Sequence, residues 1–244
     1  MKLLLFALLL GLSTGAWAQK VHPAPAAAAE LVAYREVNRP AAAQRLRAEL
    51  SQHPAQLLNA GRYEPGYLRP LAGGRVLLPG LRYHVGQRLV QAQDSLEPDS
   101  THFWPLAALR GFDLGGEDAP GTQVRRYRVR LVQEGRAGAR REAVQVLTSI
   151  DAGPLLLAWL PLPAAEVATP PGAAALSQVL LAGSGIDATQ PLRPLELSQP
   201  AVLRLFGARA DNVLAFAQAQ NLRFDQPADI TRLFNYYNRV AVAK

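Results

Sequence analysis

Residues 124–132 read VRRYRVRLV, and this short stretch decides the class of fold. Tyr127, Val129 and Leu131 alternate with Arg126, Arg128 and Arg130. A period of two marks a β-strand, because successive side chains leave a pleated strand on opposite faces. One face is then apolar and the other carries three guanidiniums. Residues 135–138 come next as a hairpin-like connection, and Val144, Val146, Thr148 and Ile150 give the next segment a β-branched face. Asp151-Ala152-Gly153-Pro154 turns the chain once more. An antiparallel hairpin with one face wet is what this pattern predicts.

The same grammar extends outward. From Gly61 onward, short apolar or alternating segments are separated by Gly, Pro and Asp. Candidate strands are 67–71, 75–78, 81–85, 88–93, 103–106, 110–114, 123–133, 142–150 and 155–160. Spacing of this kind predicts an antiparallel β-meander over 61–162, curved into a sandwich or an open barrel. Residues 19–60 are Ala-rich and read as helical. Leu31, Tyr34 and Val37 recur every third position, and Arg39-Pro40 ends that piece because the residue before a proline avoids helical geometry. Leu46 and Leu50 mark a second helix over 41–52.

Residues 163–175 (PAAEVATPPGAAA) read as a linker, an apolar run resumes at 176–181, and Pro191, Pro194 and Pro200 punctuate the chain beyond it. The span 163–197 is therefore taken as a Pro/Ala-rich linker region. Helices return over 198–244. Ser198 suits the cap of a helix with Pro200 in its first turn. Val213, Phe216 and Ala217 share a face of the next, and Asp225 suits the cap of a last helix carrying Ile230, Leu233, Phe234 and Tyr237. The expected fold class is α+β, a central antiparallel β-meander with helical N- and C-terminal segments.

The address is written at the front. Met1-Lys2 is a short basic start, residues 3–12 are an apolar run, and Ala16-Trp17-Ala18 places small residues around a larger one. That is the layout of a secretory signal peptide over 1–18, with cleavage after Ala18. The run is shorter than the roughly 20 residues a membrane span needs. The mature chain is expected to be exported, periplasmic or extracellular, and not membrane-spanning. No cysteine is present, which excludes a disulfide scaffold, a Cys-ligated zinc site and a Cys nucleophile.

Around these residues runs a further pattern. Gly61-Arg62-Tyr63, Gly66-Tyr67-Leu68, Leu81-Arg82-Tyr83, Phe103-Trp104-Pro105, Leu109 to Phe112, Arg126-Tyr127 and Val144 to Leu147 succeed one another in order. The succession resembles a sheet module of secreted proteins common in the Bacteroidetes, and the stretch 203–206 with 233–238 is similar to the helical tail such proteins carry. The resemblance covers 61–160 closely and 197–239 loosely. It implies an exported sheet protein with a helical end, and it carries over no catalytic residue.

Chemistry is sparse by comparison. No GxSxG, HExxH, GxxxxGK[ST] or GxGxxG motif occurs, and no cofactor is expected. His22, His53, His84 and His102 share no ligand-type spacing; His84 lies in an expected strand and His102 beside another, close enough to meet across a sheet, but a structural or surface role is expected for each. Six acids stand between 94 and 118 (Asp94, Glu97, Asp99, Asp113, Glu117, Asp118), a composition that can hold a hard cation. The EF-hand order of ligands is absent, so a solvated loop is expected there. Trp104, Trp159 and Tyr237 are expected in packing positions.

The basic stretch is sharper. Residues 123–141 hold seven arginines and one glutamate, a net of +6, which equals the 25 basic minus 19 acidic residues left after removal of 1–18. Arg125, Arg126, Arg128, Arg130, Arg140 and Arg141 are the candidate anion-binding set. Such a face attracts polyanions with salt-sensitive affinity. For an exported chain the expected partner is an anionic envelope component, a glycan or lipid head group, and not nucleic acid. The competing expectation is a charged outer face partly neutralised by the acidic stretch on a neighbouring strand. Three functional readings emerge: a non-enzymatic protein that binds or assembles through its sheet surface, a polyanion binder using the Arg126/Arg128/Arg130 face, and a hydrolase using acidic residues of 94–151.

Overall fold

The computed structural model describes residues 25–95, 101–115, 123–133, 135, 138–163 and 176–242. The signal-peptide reading of 1–18, most of the expected linker (164–175), and Glu97, Asp99, Glu117, Asp118, Glu134 and Arg136 lie outside the described residues.

Among the described residues two helices come first, α1 (Pro25–Val37) and α2 (Pro40–Gln52), divided where Arg39 precedes a proline. The described residues then form ten strands: β1 (Glu64–Pro70), β2 (Val76–His84), β3 (Leu89–Gln93), β4 (Thr101–Pro105), β5 (Leu109–Leu114), β6 (Arg125–Val132), β7 (Arg140–Val146), β8 (Leu155–Pro163), β9 (Leu176–Ser184) and β10 (Arg193–Pro194). Three helices, α3 (Gln199–Arg204), α4 (Ala210–Ala219) and α5 (Pro227–Val242), close the chain. The fold is α+β. All ten strands form one sheet in the order β10-β9-β8-β7-β6-β5-β1-β2-β3-β4. Two meanders, β1 to β4 and β5 to β10, are therefore joined side by side through the antiparallel pair β1–β5.

Strand β6 is the hinge of the architecture because both of its faces are used. Tyr127 and Val129 point into one core with Leu68, Leu81, Tyr83, Val90 and Phe112 from the first meander and β5. Val132 points the other way, into a core with Val144 and Val146 of β7, Leu156, Ala158 and Leu160 of β8, Leu181 of β9, and Leu192. A ring of hydrogen bonds encloses this second core. The Leu192 N–H donates to Leu131 O at 2.8 Å and the Gln133 N–H to Leu192 O at 2.9 Å, so the segment entering β10 returns to the end of β6. The outer face of β8 and β9, with Leu157, Leu180 and Ala182, is covered by Val202, Phe206, Val213, Ile230, Leu233 and Phe234 of the C-terminal helical region. Burial on both faces explains why β8 is apolar throughout and not alternating.

The structure departs from the sequence reading at four places. Residues 176–184, assigned to a linker, form β9 and pair with β8 along its length, from Leu155 opposite Ser184 to Pro163 opposite Leu176. The sheet thus runs past residue 162, and 193–194 add a further short strand. The two strands expected at 75–78 and 81–85 are one: the register shifts between Glu64 and Gly66 of β1, so Pro79, which has no N–H to give a ladder, falls at the irregularity and the pairing resumes beyond it. Strand β7 stops at Val146, and Thr148 turns the chain by donating its hydroxyl to Ile150 O at 3.0 Å. Asp225 does not cap α5, which begins at Pro227, but pairs with Arg223 at 2.6 Å. Ser198 does cap α3, accepting from Ala201 N–H.

Helices α1 and α2 pack on edge strand β4, where Ala43, Leu50, Val37 and Leu46 surround Phe103. Asn38 finishes that contact: its amide accepts from Phe103 N–H at 2.9 Å and donates to Phe103 O at 2.8 Å, as a neighbouring strand would. Asn238 on α5 makes the same pair of bonds with Leu155, at 3.0 and 2.8 Å. Among the described residues no helix is long and apolar enough to cross a membrane.

Candidate functional site

The six candidate arginines do not form one open surface. Register places Asp113 of β5 opposite Arg126 and Gly111 opposite Arg128, and places Tyr67 and Arg69 of β1 beyond them. Because Gly111 has no side chain, Arg128 can lean across to the neighbouring carboxylate. Arg128 Nη1 donates to Asp113 Oδ1 at 2.6 Å and its Nε to Asp151 Oδ2 at 2.6 Å. Arg69 takes the other oxygen of Asp113 from Nε and Nη2, at 2.8 and 2.7 Å. Arg126 closes the chain on Asp151 Oδ1 at 2.7 Å and donates to the carbonyls of Thr148 and Ser149. Three cations and two carboxylates alternate along this ladder. Charge-assisted bonds of this kind are short, and they use most of the donors that an anion would need.

The rest of the set is similarly engaged. Arg125 pairs with Glu64 at 2.6 Å, Arg140 with Glu142 at 2.7 Å, and Arg141 donates to Leu109 O at 3.5 Å. Arg130 is buried, and its guanidinium donates to the carbonyls of Ser184, Asp187 and Gly185 at 2.6, 3.0 and 3.4 Å. Burial lowers its pKa below the usual arginine value, opposed by Asp187. The neutralisation that the competing expectation foresaw is therefore present, with Asp113 contributed by the neighbouring strand, but the expected wet outer face is not: Arg128 and Asp113 are only 13% and 4% exposed and Arg130 is buried, because this face of β6 is enclosed as well. Arg69 and Asp151 complete it from positions that no local pattern connects to β6.

The other expected groups are also placed. His102 Nε2 lies 3.0 Å from Asp94. His84 is buried on β2 opposite Leu89, which in turn faces Pro105, so the two histidines sit two strands apart and at different register positions. Among the described residues no cluster of three His, Asp or Glu suits a metal ion. Trp104 packs on Tyr34 at 4.3 Å between centroids, and Tyr237 packs on Phe206 at 5.1 Å. Tyr127 stacks on Phe112 in the first core, and burial pushes its hydroxyl up to about 12.

A groove remains, and the sequence pattern does not announce it. It lies on the outer face of β9 and β10 where α3 begins, with a volume of about 650 Å³. That is within the range of ligand sites, roughly 300 to 1,000 Å³. Ala182, Gly183 and Leu205 line it with Pro191 and Pro194, while Arg193 enters from the sheet and Arg204 from the helix. Both arginines are exposed, and neither makes an ion pair among the described residues. Gln190, Ser184 and Glu196 add polar groups. Its one signal in the sequence is Arg193 set between Pro191 and Pro194, where the prolines read as punctuation.

No family model, curated protein or solved structure matches the chain. The groove and the ladder are therefore the features from which its function can be read.

Proposed function

We propose that the chain is an exported, non-enzymatic binding protein that takes an anionic ligand, carrying carboxylate or phosphate, in the groove between β9–β10 and α3. The observation that carries this reading is the convergence of Arg193 and Arg204 from two different elements on one groove, neither in an ion pair among the described residues and the two facing a single lining carboxylate, Glu196. A guanidinium binds carboxylate and phosphate through its planar fork of donors. The apolar lining from Pro191, Pro194, Leu195 and Leu205 suits a ligand with an apolar body behind its charge. Export is supported by the basic start, apolar run and Ala-Trp-Ala of residues 1–18.

The hydrolytic alternative finds less support. Each acid that the structure describes between 94 and 151 has a partner: Asp94 has His102, Asp113 has Arg69 and Arg128, Glu142 has Arg140, and Asp151 has Arg126 and Arg128. A carboxylate held by two guanidiniums is a poor general base, since its lone pairs are committed.

Retention of the mature chain on carboxylated and phosphorylated matrices across a salt series tests the reading. Wild type is expected to elute earlier as salt rises, and Arg193→Gln/Arg204→Gln to lose about tenfold or more in affinity. Equal retention of the double variant and wild type would remove the groove from consideration.

A further inference from the structure

We infer that Arg130 is the positioning residue of this groove: from inside the ring of strands it holds the loop 184–190 whose two ends form the groove wall. The inference rests on the binding reading above and adds a second, internal determinant to it.

Residues 184–190 connect β9 to the segment entering β10. Ser184 and Gln190, the two ends of the loop, both line the groove, and Arg193 comes three residues later. Left alone, such a loop would present converging carbonyls with no donor to receive. The Arg130 side chain, rising from β6 within the enclosed core, supplies the donors: Nη2 reaches Ser184 O and Asp187 O, and Nη1 reaches Gly185 O. The main chain of the same strand holds the far end, through Leu131 O and Gln133 N–H on Leu192. One strand therefore grips both sides of the loop.

The loop also stiffens itself. Ser184 Oγ accepts from Asp187 N–H at 3.0 Å, and the Asp187 carboxylate accepts from Thr189 N–H and Oγ1 at 2.9 and 2.6 Å. Those Thr189 bonds hold the Asp187 carboxyl below its ordinary range. Nothing in this local set ties the loop to the sheet; the bonds from Arg130 and those of Leu192 do, by holding the loop and the segment that follows it to β6. A guanidinium is needed at position 130, because its rigid fork addresses three carbonyls at once and a lysine ammonium is a compact point charge. A wall fixed before the ligand arrives lowers the ordering cost of binding. Arg130 thus serves anion binding without touching the anion.

The test uses Arg130→Lys and Arg130→Met in the mature chain, with ¹⁵N relaxation of the 185–190 amides and titration with inorganic phosphate and with succinate. In both variants the loop amides are expected to become mobile on the nanosecond timescale, and affinity to fall roughly tenfold with Arg193 and Arg204 intact. The Lys variant keeps the charge in the core, so it carries the measurement if Arg130→Met does not fold. Loop amides as rigid in Arg130→Lys as in wild type would overturn the inference, as would a loosened loop with unchanged affinity. If wild type binds neither probe, the anion-groove reading fails by itself, while the relaxation data still decide whether Arg130 positions the wall.

Discussion

Arg128 Nη1 and Asp113 Oδ1 meet at 2.6 Å across adjacent strands, with the carboxylate only 4% exposed. The pair exists because β5 and β6 are neighbours in sequence and in the sheet, and because Gly111 opposite Arg128 leaves room for the side chain to lean. A Cβ at Gly111 would lie 2.2 Å from Tyr127 O, so the position admits no side chain without a shift of the backbone. The strand that looks most like a polyanion surface is for this reason largely satisfied from within.

Replacing Asp113 by asparagine leaves Arg69 and Arg128 facing a neutral amide in a buried setting. Removing one partner of a buried pair typically costs about 3 kcal/mol or more. Asp151→Asn, at a carboxylate about a third exposed, is expected to cost about 1 kcal/mol or less. Urea unfolding of the two variants beside wild type checks the order. Comparable losses would mean that burial does not set the strength of the ladder.

His84 sets a pH dependence. Its side chain is buried, Nδ1 accepts from Gln87 N–H at 3.1 Å, and Nε2 has no hydrogen-bond partner among the described residues. Burial, more than the nearby His53 and Arg82, lowers its pKa below the ordinary 6.5. The unfolded chain therefore takes up a proton more readily than the folded one. The contribution to stability is fully present above the ordinary value and is lost as pH falls through it toward the lowered folded value. The urea midpoint is expected to be lower at about pH 5 than at about pH 8, with the difference reduced in His84→Gln. An identical pH slope in the variant would assign the effect elsewhere.

Asn38 and Asn238 each complete a strand's backbone with an amide. Asn38→Ala is expected to cost about 2 kcal/mol for the two lost bonds. It also leaves the Phe103 N–H and C=O without the Asn38 amide on edge strand β4, so concentration-dependent association should appear in light scattering. Asn238→Ala is expected to destabilise at least as much, because Asn238 is fully buried, and to do so without association, since Leu155 belongs to an interior strand. Association of both variants, or of neither, would contradict the distinction.

Local pattern accounts for much of this architecture. The period of two at 126–131 marks β6, the prolines at 40 and 54 bound α2, and Ile230, Leu233 and Phe234 of the expected stripe are all buried on α5. The features that were not legible depend on distant partners. Strand β9 comes after an Ala/Pro-rich stretch that reads as a linker, and only its pairing with β8 makes 176–184 a strand. Asp113 is legible as a counter-charge because β5 adjoins β6 in the chain. Arg69 becomes a partner only through the β1–β5 pairing, and Asp151 only through the turn after β7. The groove needs the position of α3 against β10, which no periodicity encodes.

On the proposed reading, anions meet this protein at Arg193 and Arg204 and not along β6. Amide chemical-shift mapping of the mature chain titrated with inorganic phosphate and with succinate separates the two surfaces. The expected result is a cluster of saturable shifts at 182–184, 190–196 and 201–205, abolished in Arg193→Gln/Arg204→Gln. Shifts concentrated at 125–130 and 149–151, and retained in that double variant, would rule the groove out and return the binding surface to the arginine strand.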